Sequence, residues 1–166
     1  MEARADANVA TAKIQLLLDR LARERGAVAT VGVIEPGRRG SASSNTIPGS
    51  ANFTIDLRHP SDEESASIEE EVRSEMRRLM EENPKLSFEL NKIWHSPSAR
   101  FDPSMRECLS QAARANLGFD EAMELASFAG HDSAMTALRV PTAMLFIPCR
   151  NGISHSSQEW SSREQW

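Results

Sequence analysis

In the first half of the chain the spacing of apolar residues switches between the helical and the extended period. Ile14, Leu17, Leu18 and Leu21 recur at i, i+3, i+4 and i+7, which predicts a helix from Asp6 to about Arg25 with Lys13, Asp19, Arg20 and Arg23 off its stripe. Gly26 stops that helix, and the β-branched run from Val28 to Ile34 predicts a strand, followed by the polar loop Pro36-Gly37-Arg38-Arg39-Gly40. After Pro48-Gly49, Ala51, Phe53, Ile55 and Leu57 alternate with Asn52, Thr54, Asp56 and Arg58. Period two puts the first set on a core and turns Arg58 away from it. Pro60 closes this strand. Ser61 with Glu64 forms a capping box for a second helix, whose core stripe is Ile68, Val72, Met76, Leu79 and Met80. Asp62, Glu63 and Glu64 at its start, and Arg73, Arg77 and Arg78 further on, follow the helix dipole. Pro84 ends it, and Leu86, Phe88 and Leu90 alternate with Ser87, Glu89 and Asn91 in a third strand. The order α-β-β-α-β needs one strand ahead of the first helix to become the ferredoxin-like βαββαβ unit, two helices on one face of an antiparallel sheet; that first strand is missing and is expected upstream of Met1.

His95-Ser96-Pro97-Ser98 reads as a linker, after which helices and strands alternate. Asp102 caps a helix that has Pro103 in its first turn and Met105, Leu109, Ala112 and Leu117 on its apolar side, with Gly118 after it. Ala122 to Ala126 predicts a short strand, His131 to Leu138 the opening of a helix, and Ala143 to Ile147 a strand buried on both faces, as in a parallel sheet. Two or three such strands make an incomplete α/β domain.

Composition narrows the class. With 40% apolar and 26% charged residues the chain is too apolar to be disordered, and it is long enough to bury a core. A net charge of −5 leaves no broad basic field, the small Arg38-Arg39 cluster aside, so nucleic acid and anionic membranes are not expected partners. The N-terminal residues lack the apolar core of a secretory signal, and nothing approaches the ~20 apolar residues of a membrane span. Cys108 and Cys149 read as free thiols of a reducing compartment, and the expected location is cytoplasmic.

The residues able to do chemistry lie in short polar islands. His155 follows the apolar run ending at Ile147 by a short loop, where α/β sheets present ligands, and Gly152 lets the backbone approach one. Neutral imidazole is a common zinc ligand, and a surface histidine is the plain alternative. Gly130-His131-Asp132 fits a helix start with His131 facing a polar ligand, or an Asp132 cap beside an incidental histidine. Asn45 and Arg58 flank a Pro-Gly turn, and the fork of Arg58 suits a carboxylate unless it is simply a solvated edge residue. His59 and His95 read as turn and linker residues, the methionines as core, and Glu69-Glu70-Glu71 as a solvated helix face. No Cys-x-x-Cys, phosphate loop, Gly-x-Ser-x-Gly elbow or His-Glu-x-x-His helix occurs.

Taken in order, Ser44-Asn45-Thr46-Ile47-Pro48-Gly49, Phe53-Thr54-Ile55-Asp56-Leu57-Arg58-His59-Pro60, Ala129-Gly130-His131-Asp132-Ser133-Ala134 and Gly152-Ile153-Ser154-His155-Ser156 resemble the N-carbamoyl-L-amino-acid hydrolases. That group includes allantoate amidohydrolases and the yeast-type β-ureidopropionase, within the wider aminoacylase and carboxypeptidase family of binuclear zinc enzymes. The resemblance covers about Ala5 to Trp160. It implies a ferredoxin-like lid at residues 5–92, through which subunits form a homodimer, and the C-terminal portion of an α/β zinc-hydrolase domain at 93–166. It also implies that His155 is a zinc ligand and that His131 contacts substrate beside the metals, while Asn45 and Arg58 reach substrate from the lid. The implied reaction is hydrolysis of a linear C–N bond in a small ureido or amide substrate. Zinc, or another divalent ion such as manganese, activates the water; Arg58 forks onto the substrate carboxylate, and Asn45 and His131 donate to the nascent oxyanion.

The resemblance places two further zinc-ligand histidines, a bridging aspartate, a ligand glutamate and the catalytic glutamate ahead of the segment that Met1 begins. Met1 therefore reads as an internal methionine, and the terminal helix expected after Gly-Ile-Ser-His reads as lost. Ser157 and Gln158 stand where the family has proline and glutamate. The chain alone is expected to retain no metal and to be inactive, one histidine being too few. A non-catalytic dimerisation or small-molecule-binding module is the alternative.

Overall fold

Asp6 starts the first helix: its carboxylate accepts the N–H groups of Asn8 at 3.0 Å and Val9 at 3.2 Å. The helix, α1, runs over Ala7–Arg25 and ends at Gly26, whose φ of 67° is the left-handed cap that glycine adopts without strain. A computed structural model of the chain describes residues 4–37, 43–117 and 123–163. Arg38-Arg39, Gly118 and Ala122, singled out above, lie outside them. The chain divides into two compact units, Met1–Ser98 with Ala126–Phe128, and Ala99–Leu125 with Ala129–Trp166.

In the first unit α1 packs on α2, Asp62–Glu82. Ser61 caps α2 as the sequence implies, its hydroxyl accepting the Glu64 N–H at 3.3 Å. Ile14, Leu18 and Leu21 of α1 meet Ile68, Val72, Met76 and Leu79 of α2 in one buried cluster, while Leu17 and Met80 sit half-buried beside these stripes. Arg25 ties the helices at the rim through Glu64, Glu71 and Ser67.

The run from Val28 and the run from Ala51 form one antiparallel hairpin that is interrupted midway. β1 (Val28–Thr30) pairs with β4 (Asp56–Arg58), and β2 (Ile34–Pro36) with β3 (Ala51–Phe53). Between the two ladders Val31-Gly32-Val33 face only Thr54-Ile55, so the register slips by one residue at a β-bulge, bridged by the Thr54 N–H to Val33 carbonyl bond of 3.1 Å. The predicted continuous strands are thus each split in two. Ala27, Ala29, Val31, Phe53, Ile55 and Leu57 face the helices, and Arg58 turns outward as its alternation requires.

Residues 86–90 are not a strand. Leu86, Phe88 and Leu90 do pack toward the core while Ser87 and Glu89 are exposed, but no ladder forms along the segment. A strand exists only with a hydrogen-bonded neighbour, and among the described residues this one has none. Open grooves lie beside it. One is lined by Val9, Ala10, Ile47, Leu79 and Leu86, the other by Ile55, Leu57, Val72, Leu90 and Trp94.

His59 is more than a turn residue. Its Nε2 meets the Arg25 carbonyl at 3.1 Å and its Nδ1 accepts the Ser61 N–H at 2.9 Å, so the ring clasps the end of α1 to the cap of α2. His59→Ala orphans both groups and is expected to cost about 2 kcal/mol; urea unfolding of the two proteins measures it.

The second unit contains α3 (Pro103–Leu117), α4 (Asp132–Ala137) and a 3-10 turn at Arg150–Gly152. Asp102 caps α3 as expected, accepting the N–H groups of Ser104 at 2.9 Å and Met105 at 3.0 Å. The two predicted strands do not form among the described residues. Met123 and Leu125 are exposed, as are Leu145, Phe146 and Ile147 in the run expected to be buried on both faces, and Met105 of the α3 stripe is exposed as well. The reason is again pairing: without neighbouring strands an apolar run has neither ladder nor cover. No helix among the described residues is long and apolar enough to cross a membrane.

Candidate functional site

Asn45 and Arg58 belong to the first unit; His131, Gly152 and His155 belong to the second. Arg58 stands on the exposed face of β4 beside Asp56, because residues two apart on a strand share a face. The guanidinium grips that carboxylate through one edge, Nε to Oδ1 at 2.8 Å and Nη2 to Oδ2 at 2.7 Å, and its Nη1 donates to the Phe128 carbonyl at 2.9 Å. One N–H on each terminal nitrogen remains for a ligand. The fork is therefore already oriented, and Asp56 is a partner that the alternation pattern contains but marks only as a polar position.

The hydrogen bonds from Arg58 hold the Asp56 carboxyl below its usual range, and Asp56 raises Arg58 in turn. A carboxylate whose folded pKa is depressed adds stability above its unfolded value, about 3.9 for aspartate, and loses it as pH falls through the lower folded value. Asp56→Asn is expected to flatten the acid limb below about pH 4 in a plot of urea midpoint against pH. An unchanged limb contradicts the pairing.

Asn45 turns its amide oxygen to its neighbours, accepting from Ser43 Oγ at 2.6 Å and Thr46 Oγ1 at 3.5 Å. This leaves its NH2 group as the donor facing outward. Neither groove of the first unit is lined by Asn45 or Arg58.

In the second unit His131, rather than Asp132, is the N-cap residue of α4; Asp132 falls in the first turn. The His131 ring meets Phe146 edge to face at 5.9 Å, with 70° between planes, which fixes one side of the imidazole. His155 is exposed, on a loop whose backbone takes positive φ at Asn151 (59°), Gly152 (66°) and His155 itself (55°). Such a conformation costs a residue other than glycine about 1–3 kcal/mol and persists where neighbours impose it. Gly152 reads in the sequence as a point of close backbone approach within a short loop; the left-handed histidine carries no such signal.

Three protein ligands are the usual minimum for a catalytic zinc. Among the described residues no group of three His, Cys, Asp or Glu side chains is placed to hold a metal. His155 has imidazole chemistry suited to one coordination position, and the described residues do not complete a centre around it.

Comparison with known proteins places these islands in context. The sequence pattern of Peptidase family M20/M25/M40 matches residues 8–166. The chain is 32% identical, over 99% of its length, to an N-carbamoyl-L-amino-acid amidohydrolase of Rhizobium meliloti, of which it covers 38%. It is 31% identical to a ureidoglycolate hydrolase of Oryza sativa subsp. japonica, over 99% of the chain and 34% of the relative. Its fold superposes on the crystal structure of an amidase of the hydantoinase/carbamoylase family from Burkholderia multivorans with a TM-score of 0.85 at 30% identity, covering 98% of this chain and 38% of that one. The chain thus spans little more than a third of these relatives' length.

Proposed function

Because the chain belongs to Peptidase family M20/M25/M40, we propose that it carries the substrate-recognition portion of an amidohydrolase that cleaves linear C–N bonds in N-carbamoyl amino acids, allantoate or related ureides. The observation that carries this reading is Arg58, an outward guanidinium oriented by Asp56 and the Phe128 carbonyl with donors to spare. A planar fork held in that way matches the carboxylate these substrates share. Asn45 on the first unit and His131 on the second each present a donor suited to a carbonyl oxygen as it gains negative charge. His155 is assigned to a divalent metal, zinc or manganese, as one ligand of a centre whose other ligands are not among the described residues. No turnover is assigned to the chain by itself.

The same proposal reads residues 5–92 as a ferredoxin-like lid and 93–166 as part of the hydrolase domain. One groove lies between Ile55 and Leu57 of the hairpin and the extended segment at Leu90, over Val72 of α2, and its apolar floor suits one more strand there. A homodimer through this lid is the assembly we assign, and sedimentation equilibrium reads it.

The direct test is a titration of 15N-labelled protein with N-carbamoyl-L-alanine and with its carboxamide. The Arg58 Nε and Asn45 Nδ2 resonances are expected to shift with the acid and not with the amide. Equal response to both ligands, or none at Arg58, contradicts carboxylate recognition.

A further inference from the structure

The loop that presents His155 closes on itself next to its ends. The Arg150 N–H donates to the Trp160 carbonyl at 2.8 Å, the Arg150 guanidinium lies 5.2 Å from the Trp160 ring centroid, and Ser161 Oγ donates to the Pro148 carbonyl at 2.5 Å. Compact loops closed in this way are packed by their own side chains. Within the closure, the left-handed backbone costs Gly152 nothing, whereas at Asn151 and His155 it is uncommon and persists where neighbours support it.

Glu159 does so. Its Oε2 accepts the His155 N–H at 2.8 Å, and its Oε1 lies 3.9 Å from Cys149 Sγ, so one carboxylate spans the outgoing and incoming limbs of the loop. The Glu159 N–H donates to the Ser156 carbonyl at 3.0 Å, a turn that brings the side chain back over His155. Neither the 3-10 turn at Arg150–Gly152 nor the Arg150–Trp160 closure hydrogen-bonds the His155 backbone, and among the described residues the Glu159 carboxylate is its hydrogen-bonded support.

We infer that Glu159 is a positioning residue, holding the His155 backbone in the left-handed region and thereby fixing the direction of the imidazole. The purpose of that direction rests on the reading of His155 as a site residue; the conformational claim stands on the loop alone. The requirement is for an acceptor oxygen, so glutamine satisfies it and alanine does not.

The test is backbone NMR of the chain with Glu159→Ala and Glu159→Gln. A positive φ brings the amide proton close to its own Hα, so a strong intraresidue NOE reports it. That NOE at His155 is expected in the unsubstituted protein and in Glu159→Gln. In Glu159→Ala it is expected to weaken, with exchange of the His155 amide about 10-fold faster. An unchanged NOE in Glu159→Ala overturns the inference, as does its equal loss in both variants with the remaining spectrum preserved. If Glu159→Ala disrupts the whole unit, His155→Gly in that background decides, since glycine takes positive φ freely. Recovery of the folded spectrum supports the inference and continued disruption overturns it. Failure of Arg58 and Asn45 to respond to N-carbamoyl-L-alanine sinks the site reading and leaves this prediction standing.

Discussion

Arg58→Ala, in a hybrid enzyme that carries this chain in place of the stretch it matches in the Rhizobium meliloti amidohydrolase, is expected to lower kcat/KM for N-carbamoyl-L-amino acids about 100-fold, near 2.7 kcal/mol. Most of the loss should appear in KM, because a grip on the carboxylate is present in the ground state as well as the transition state. Arg58→Lys should recover little of it. An ammonium is a compact point charge that lacks the planar fork, so it reproduces neither the two parallel bonds to Asp56 nor a paired contact to a carboxylate. Asp56→Ala separates orientation from charge: the guanidinium stays, but its fork loses the support that aims it, and KM should rise by less than for Arg58→Ala. Steady-state kinetics on the three variants reads these effects, and a KM unaffected by Arg58→Ala places carboxylate binding elsewhere.

Ile68→Ala is expected to destabilise the first unit by about 3 kcal/mol. Ile68 is 0% exposed on α2 and lies in the same cluster as Ile14, Leu18 and Leu21 of α1. Among the described residues seven buried side chains form the centre of that cluster, so the deleted methyl and methylene groups leave a cavity within close-packed surroundings. A loss of that size is a large part of the stability of an ordinary domain, about 5–15 kcal/mol. Leu16, 72% exposed on α1, is the control, and Leu16→Ala should change stability by less than about 0.5 kcal/mol. Urea denaturation with m held constant measures both. A cost below about 1 kcal/mol for Ile68→Ala contradicts the packing of α1 on α2.

Local signals made part of this molecule readable from its residues. The stripes of α1 and α2, the Asp6 and Ser61 caps and the outward face carrying Arg58 depend on neighbours a few positions away, and each is present. The bulge at Val31-Gly32-Val33 comes from the register between two strands, which no single strand encodes. The segments at 86–90 and 143–147 carry strand-like patterns without strands, because a ladder is a property of a pair. At the candidate site Arg58 was legible by residue type, while its pairing with Asp56 needed the fold, although the i, i+2 spacing contains it. The short loop with Gly152 was legible, but the left-handed backbone of His155 and its support from Glu159 depend on a loop closure that begins at Pro148 and ends at Ser161.

The most direct measurement of the central claim is ammonia release from N-carbamoyl-L-amino acids by the same hybrid, after circular dichroism has shown it folded. Hydrolysis by the hybrid, cut about 100-fold by Arg58→Ala, is the predicted result. A folded hybrid that releases no ammonia, or one whose turnover ignores Arg58, contradicts the assignment of substrate recognition to this chain.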